Sequence, residues 1–132
     1  MKNDYLPIDR ETEHIATQVV DCLFQVHSNL GPGLLESVYE KCTLIELQSR
    51  SMKAVHQVEV PIFYKGENIG ASLRIDILVE DRIILELKAV DKIQPVFEAQ
   101  LLTYLKLTHK RLGFLVNFNV PVIKQGIRRI IL

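Results

Sequence analysis

Tryptophan is absent from this 132-residue chain, cysteine occurs twice, and aromatic residues make up only 7%. Cys22 and Cys42 lie in helical patterns without Cys-x-x-Cys spacing, so they read as buried thiols rather than a disulfide or metal framework. Glycine and proline are sparse, at six and five, and no internal repeat, low-complexity tract or Gly/Ser linker divides the chain. No apolar run approaches the ~20 residues of a membrane span. The polar, partly acidic stretch from Met1 to Glu13 does not read as a secretory leader. A cytoplasmic protein without a membrane partner is expected. His14, His27, His56 and His109 lack H-x3-H or HExxH spacing, which argues against zinc. There is no phosphate loop, no GxGxxG and no GxSxG, and Ser28 and Ser37 have no evident activating partner.

The chain has the balance of an ordinary globular domain. With 48% apolar and 24% charged residues, a single domain over residues 1–132 can bury a core without staples. Sixteen basic and sixteen acidic residues give zero net charge, which argues against nucleic acid until the chain is divided. Residues 100–132 hold Lys106, Lys110, Arg111, Lys124, Arg128 and Arg129 and no acid, so they carry +6. Residues 1–99 hold the other ten basic residues and all sixteen acids, so they carry −6. A basic third beside an acidic remainder suits phosphate contact near a carboxylate site, and equally suits a solvated basic face.

Apolar spacing predicts a first helix through Ile15, Val19, Cys22, Leu23, Val26 and Leu30, with Asp9 and Thr12 as N-cap candidates. Leu30-Gly31-Pro32-Gly33 breaks it. A second helix is expected from near Leu34 to about Arg50, with Leu35, Val38, Cys42 and Ile45 as its buried stripe. Val58 to Tyr64 alternates as a strand, and Lys65-Gly66-Glu67-Asn68 turns the chain. Pro95 suits the first turn of a third helix, to about Leu107, burying Leu101, Leu102 and Leu105. Leu112 to Phe118 reads as an interior strand, and Ile127 to Leu132 as a final strand at a sheet edge. The predicted order is α-α-β-β-β-α-β-β, an α/β architecture with a mixed β-sheet flanked by helices.

Between the second helix and the third lie two apolar runs with selectively placed charges, Arg74-Ile75-Asp76-Ile77-Leu78-Val79 and Ile83-Ile84-Leu85-Glu86-Leu87-Lys88. Period-2 alternation puts Leu73, Ile75, Ile77 and Val79 on one face of the first strand, and Arg74 and Asp76 on the other. A three-residue loop at Glu80-Asp81-Arg82 sets Asp76 opposite Glu86 and Arg74 opposite Lys88. Like charges facing across a ladder are destabilising, which makes sense if a divalent cation sits between the carboxylates. Mg²⁺ takes hard oxygen ligands and keeps several waters. Asp76 and Glu86 supply two oxygens and the Leu87 carbonyl a third, while Lys88 on the same face stabilises charge developing on a phosphate. Such a pattern also arises by chance on an amphipathic strand. Asp76→Ala is expected to stabilise the metal-free fold by relieving the repulsion.

Two helical pairs add to this. Glu36 and Glu40, spaced i, i+4, point from one side of the second helix, although a first-turn acid is also simple helix stabilisation. Gln100 and Tyr104 repeat the spacing on the third helix and could hydrogen-bond a phosphate or position Lys88; a partly buried tyrosine with a satisfied hydroxyl is the plain alternative.

Asp76…Glu86-Leu87-Lys88 followed by Gln100-x3-Tyr104 resembles the PD-(D/E)xK nuclease superfamily, in its branch with a Q-x3-Y helix. The stretch from Leu30 to Glu40, through Gly33, Glu36 and Tyr39, resembles the GxxExxY family within it. The likeness continues through Gln57, Tyr64-Lys65-Gly66, Arg74-x-Asp76 and Leu115-Val116-Asn117-Phe118, covering roughly residues 14 to 132. It implies a restriction-endonuclease-like fold, Mg²⁺ (with Mn²⁺ as a substitute) and DNA as substrate. By position, Glu36 is the helical acid of the metal group, Asp76, Glu86 and Lys88 are the catalytic triad, and Gln100 and Tyr104 are supporting residues. Phe97 stands where members often place a histidine, and Ser51 where a glycine commonly ends the second helix.

Two functions compete. One is a Mg²⁺-dependent deoxyribonuclease, alone or as the nuclease core of a larger assembly. The other is a non-catalytic module of the same fold that binds DNA or a protein. A chain of this size has little spare surface for target recognition, so specificity would call for a homodimer or a second protein.

Overall fold

A computed structural model describes residues 6–132; residues 1–5, the start of the polar N-terminal stretch, lie outside the described residues. Helix α1 spans Arg10–Leu30 and α2 Glu36–Ser49. Strands β1 (Ala54–Tyr64), β2 (Glu67–Val79) and β3 (Ile83–Lys88) follow. Helix α3 (Pro95–Thr108) then leads to β4 (Leu112–Asn117), a short 3₁₀ turn at Ile123–Gly126 and β5 (Ile127–Ile131). The five strands form one mixed sheet in the order β1-β2-β3-β4-β5, parallel only between β3 and β4, with β5 at an edge. This is the expected α/β architecture, and it is consistent with a restriction-endonuclease-like fold.

Local chemistry sets the element ends. Asp9 caps α1, accepting from the Thr12 N–H (3.0 Å) and hydroxyl (2.7 Å), and Glu11 and Glu13 complement the first-turn dipole. Gly31, at φ 73°, closes α1 by donating its N–H to His27 O at 2.7 Å. Pro95 opens α3, and His109 ends it in the left-handed region at φ 57°. Lys65 and Gly66, at φ 49° and 84°, form a two-residue turn, so Glu67 and Asn68 already pair with Tyr64 and Phe63.

The sheet carries one apolar cluster on each side. Val19, Leu23 and Tyr39 from α1 and α2 pack with Ile77, Val79, Leu85, Leu87, Val116 and Phe118. Leu101 and Leu105 of α3 pack with Leu73, Ile75, Leu78, Ile84 and Leu115. A Cβ on Gly113 would lie 2.9 Å from a Leu101 methyl and 3.1 Å from the Ile84 carbonyl, so α3 depends on a bare backbone at that strand position.

Several expectations are corrected. The buried positions of α2 are Tyr39, Thr43, Leu44 and Leu47; Leu35 and Ile45 are 74% and 64% exposed. Tyr39 fixes that rotation: it stacks on Phe118 with ring centroids 4.4 Å apart and places its hydroxyl beneath the preceding loop. Leu102 is 39% exposed, because Leu101 and Leu105 already fill the contact of α3 with the sheet. Cys22 is buried, which pushes its thiol up to about 11, whereas Cys42 is only half-buried. Leu73 and Ile75 face the α3 side while Ile77 and Val79 face the α1/α2 side, so alternation along β2 inverts at Asp76.

Candidate active site

The β2–β3 hairpin has the expected three-residue loop, with Glu80 and Asp81 left-handed at φ 52° and 55°. Its rungs are Val79↔Ile83, Leu78↔Ile84 and Ile77↔Leu85. The next position brings Asp76 to Glu86, and there backbone pairing stops. The Asp76 N–H donates to Glu86 Oε2 at 3.0 Å, and the Leu87 N–H donates to Asp76 Oδ2 at 2.8 Å. Each carboxylate thus takes the place of a carbonyl acceptor and satisfies a donor freed by the opening ladder. N–H and C=O of one strand residue leave by the same edge, so the Leu87 carbonyl faces this opening too. The expected rung between Arg74 and Lys88 does not form. Arg74 pairs with Glu59 of β1, and Lys88 with Asn117 of β4.

Glu86 is buried among core residues. Burial first, and the neighbouring Asp76 charge second, push its carboxyl up to about 8, against the opposing pull of the Asp76 N–H and Lys88. Glu36, in the first turn of α2, is raised by partial desolvation and by the Asp76 and Glu40 charges, with Lys88 acting against the shift, although its side chain is largely exposed. Tyr104 is raised by burial and by the charges of Glu86 and Asp76, with Arg74 opposing. Glu36 and Tyr104 therefore both sense the Asp76 charge, from helices on opposite sides of the sheet. Lys88 Nζ lies 4.5 Å from the Phe97 ring centroid, a cation–π contact. Gln100, one turn before Tyr104, is exposed and makes no hydrogen bond to the other candidates among the described residues.

The sequence singled out Tyr39 and Asn117 through the family likeness alone, without the contacts by which they build this geometry. The Tyr39 hydroxyl donates to Gly31 O (2.6 Å) and accepts from Leu34 N–H (3.1 Å), fixing the loop that aims Glu36. Asn117 donates to Val90 O (3.0 Å) and accepts from Val90 N–H (3.1 Å), tethering the segment after Lys88. Phe97 was legible only as a missing histidine. Glu40 lies close enough to Glu36 for its charge to raise it, and accepts from Gln57 Nε2 at 2.7 Å.

At least three of the six basic residues of the C-terminal third are ion-paired. Arg128 pairs with Glu98, Arg129 with Glu13 and Lys110 with Asp81. Arg111 donates to the carbonyls of Leu132, Pro7 and Leu6. Lys106 and Lys124 alone of those six lack an ion pair or side-chain hydrogen bond among the described residues. Opposite charges brought in from residues 1–99 explain the difference from the linear count.

The donor set fits a hard divalent cation. Two carboxylates held together with one carboxyl raised to about 8 are relieved by a positive charge between them. No three His, Cys, Asp or Glu side chains among the described residues form a ready-made cage.

The PD-(D/E)XK nuclease superfamily matches the chain over residues 13–130. No curated protein and no solved structure matches it.

Proposed function

From its membership of the PD-(D/E)XK nuclease superfamily, to which the chain belongs, we propose that this protein is a Mg²⁺-dependent nuclease hydrolysing phosphodiester bonds in DNA. Gly33, Glu36 and Tyr39 support assignment within the superfamily to the GxxExxY group. The observation that carries the reading is the Asp76–Glu86 pair at the open end of the hairpin, with Lys88 next along β3.

Asp76, Glu86 and the Leu87 carbonyl would hold a divalent metal, Mg²⁺ or Mn²⁺, with Glu36 on α2 as a further acid of the group. When bound, the ion would supply Lewis acidity and screen phosphate charge. Lys88, on the same strand as Glu86, would donate to the charge that develops on the phosphate oxygens. Its contact with Phe97 keeps the ammonium from wandering to solvent. Tyr104 and Gln100 hydrogen-bond the phosphate from α3.

A homodimer or a larger assembly would supply the further surface that target recognition calls for. No helix among the described residues is long and apolar enough to cross a membrane, and two free thiols accord with a cytoplasmic location. The ion-paired basic third favours a second reading, a non-catalytic module of this fold that binds a protein partner. Incubation with single- and double-stranded DNA under Mg²⁺ or Mn²⁺ tests both. Cleavage that requires metal and is lost in Asp76→Ala supports the nuclease. A wild-type protein that binds neither metal nor DNA supports the module.

A further inference from the structure

Strands β1 and β2 pair through Ala54↔Val79, Val55↔Leu78 and His56↔Ile77, and again through Val58↔Ile75, Glu59↔Arg74 and Val60↔Leu73. The rung left out is Gln57 with Asp76. Gln57 stands at φ 52°, a left-handed conformation that a residue with a Cβ seldom holds unless its surroundings impose it. Alternation inverts here on both strands: Ala54 packs on the α1/α2 side and Val58 on the α3 side, just as Ile77 and Ile75 do. This inversion leaves the Asp76 carboxylate directed along the sheet to the Leu87 N–H rather than into either apolar cluster.

What holds the inversion comes from α2. Gln57 Nε2 donates to Glu40 Oε1 at 2.7 Å, and the other Glu40 oxygen lies 3.5 Å from His56 Nδ1. The Glu40 side chain is only 15% exposed, and none of the proposed chemistry uses it. Glu40 stands one turn after Glu36, so a single acid ties the helix carrying Glu36 to the rung carrying Asp76.

We propose that Glu40 and Gln57 are positioning residues, a clamp that holds β1 and β2 inverted at the Asp76 rung and thereby aims the Asp76 carboxylate at the Glu86–Leu87 edge of β3. Its catalytic consequence rests on the nuclease reading; its structural consequence does not.

The test compares metal-free wild type with Gln57→Gly, Glu40→Ala and Glu40→Gln, reading amide exchange of Asp76 and Leu87 by NMR alongside thermal stability. Glycine accepts a positive φ freely, so Gln57→Gly is expected to melt no lower than wild type. Its Asp76 and Leu87 amides should nevertheless exchange about tenfold faster, while those of Ile77 and Leu85 keep their protection. Glu40→Ala should do the same, and Glu40→Gln, whose amide oxygen still accepts from Gln57, should restore wild-type exchange. Where wild type cleaves DNA, Gln57→Gly should lower kcat on the order of tenfold with KM little changed. Unchanged protection of Asp76 and Leu87 in Gln57→Gly overturns the clamp, and so does a loss spread evenly over the sheet with falling stability. Selective loss in a protein that never cleaves DNA upholds the clamp and counts against the nuclease.

Discussion

The two ends of the β2–β3 hairpin are built from the same two strands and do opposite things. At the loop end, Ile77, Leu78 and Val79 meet Leu85, Ile84 and Ile83 in regular rungs, and all six side chains are buried in the two cores. At the other end the ladder opens, and carboxylates take the acceptor places of carbonyls. One end gains stability from apolar burial. The other gives up three backbone rungs and accumulates like charge. Apolar burial and carboxylate clustering are separated along a strand here by a single residue step, between Ile77 and Asp76.

The largest test of that separation exchanges effects between the ends. Lys88→Ala should lower DNA cleavage about 10³-fold while leaving metal binding and the melting temperature nearly unchanged. Leu85→Ala should do the reverse, costing about 3 kcal/mol of stability through a core cavity and reducing cleavage only as far as the folded fraction falls. Assays of cleavage and calorimetric melting on both variants would erase the comparison if the two properties fell together.

The open end should also carry its own pH signature. Glu86 is raised from 4.5 to about 8, so between those values the folded state binds more protons than the unfolded chain. The stability this contributes is fully present below about 4.5 and is lost as pH rises to about 8, with a slope of at most about 1.4 kcal/mol per pH unit. Denaturant titrations across this window should show the decline without metal, and Mg²⁺ should flatten it by favouring the ionised pair.

A smaller effect separates charge from hydrogen bonding at Asp76. The expected gain for Asp76→Ala neglected the Leu87 N–H, which this carboxylate satisfies beside a fully buried residue. Alanine removes the repulsion and the acceptor together, and an orphaned donor costs about 1–3 kcal/mol. Asp76→Asn keeps an acceptor oxygen and removes the charge. It should be the more stable of the two in metal-free urea melts at pH 8, by about 1 kcal/mol.

The finest distinction concerns Lys88 and its aromatic seat. Phe97→Leu should cost about 0.5–1 kcal/mol of transition-state stabilisation, a two- to fivefold drop in cleavage. Phe97→Tyr should retain wild-type rates.

Much of the frame was legible because the signals were local. Asp9 with Thr12, Gly31, Pro95 and the Glu80–Arg82 loop each carry their structural instruction within a few residues. The facing of Asp76 and Glu86 followed from that loop and alternation alone. The inversion at Asp76 was not legible, because no glycine or proline marks it and its cause, Glu40, lies on another element. The buried side of α2 was misread for a similar reason. Tyr39 and Thr43 are buried there while Leu35 is exposed, and that choice is made by Phe118, far along the chain. Charge counting failed at Arg128 and Arg129 because their partners, Glu98 and Glu13, come from the acidic part.

Those pairs bear on how the chain responds to ionic strength. The salt dependence of binding a polyanion comes from counterions released by each phosphate that a basic side chain neutralises, and a side chain already matched with an acid must first give up that partner. Six free cations in the C-terminal third would steepen the fall of log K with log salt by about 5, and each of Lys110, Arg128 and Arg129 that stays in its ion pair takes about 1 off that slope. Association of this third with a polyanion is accordingly expected to depend on salt less steeply than the linear charge count implies.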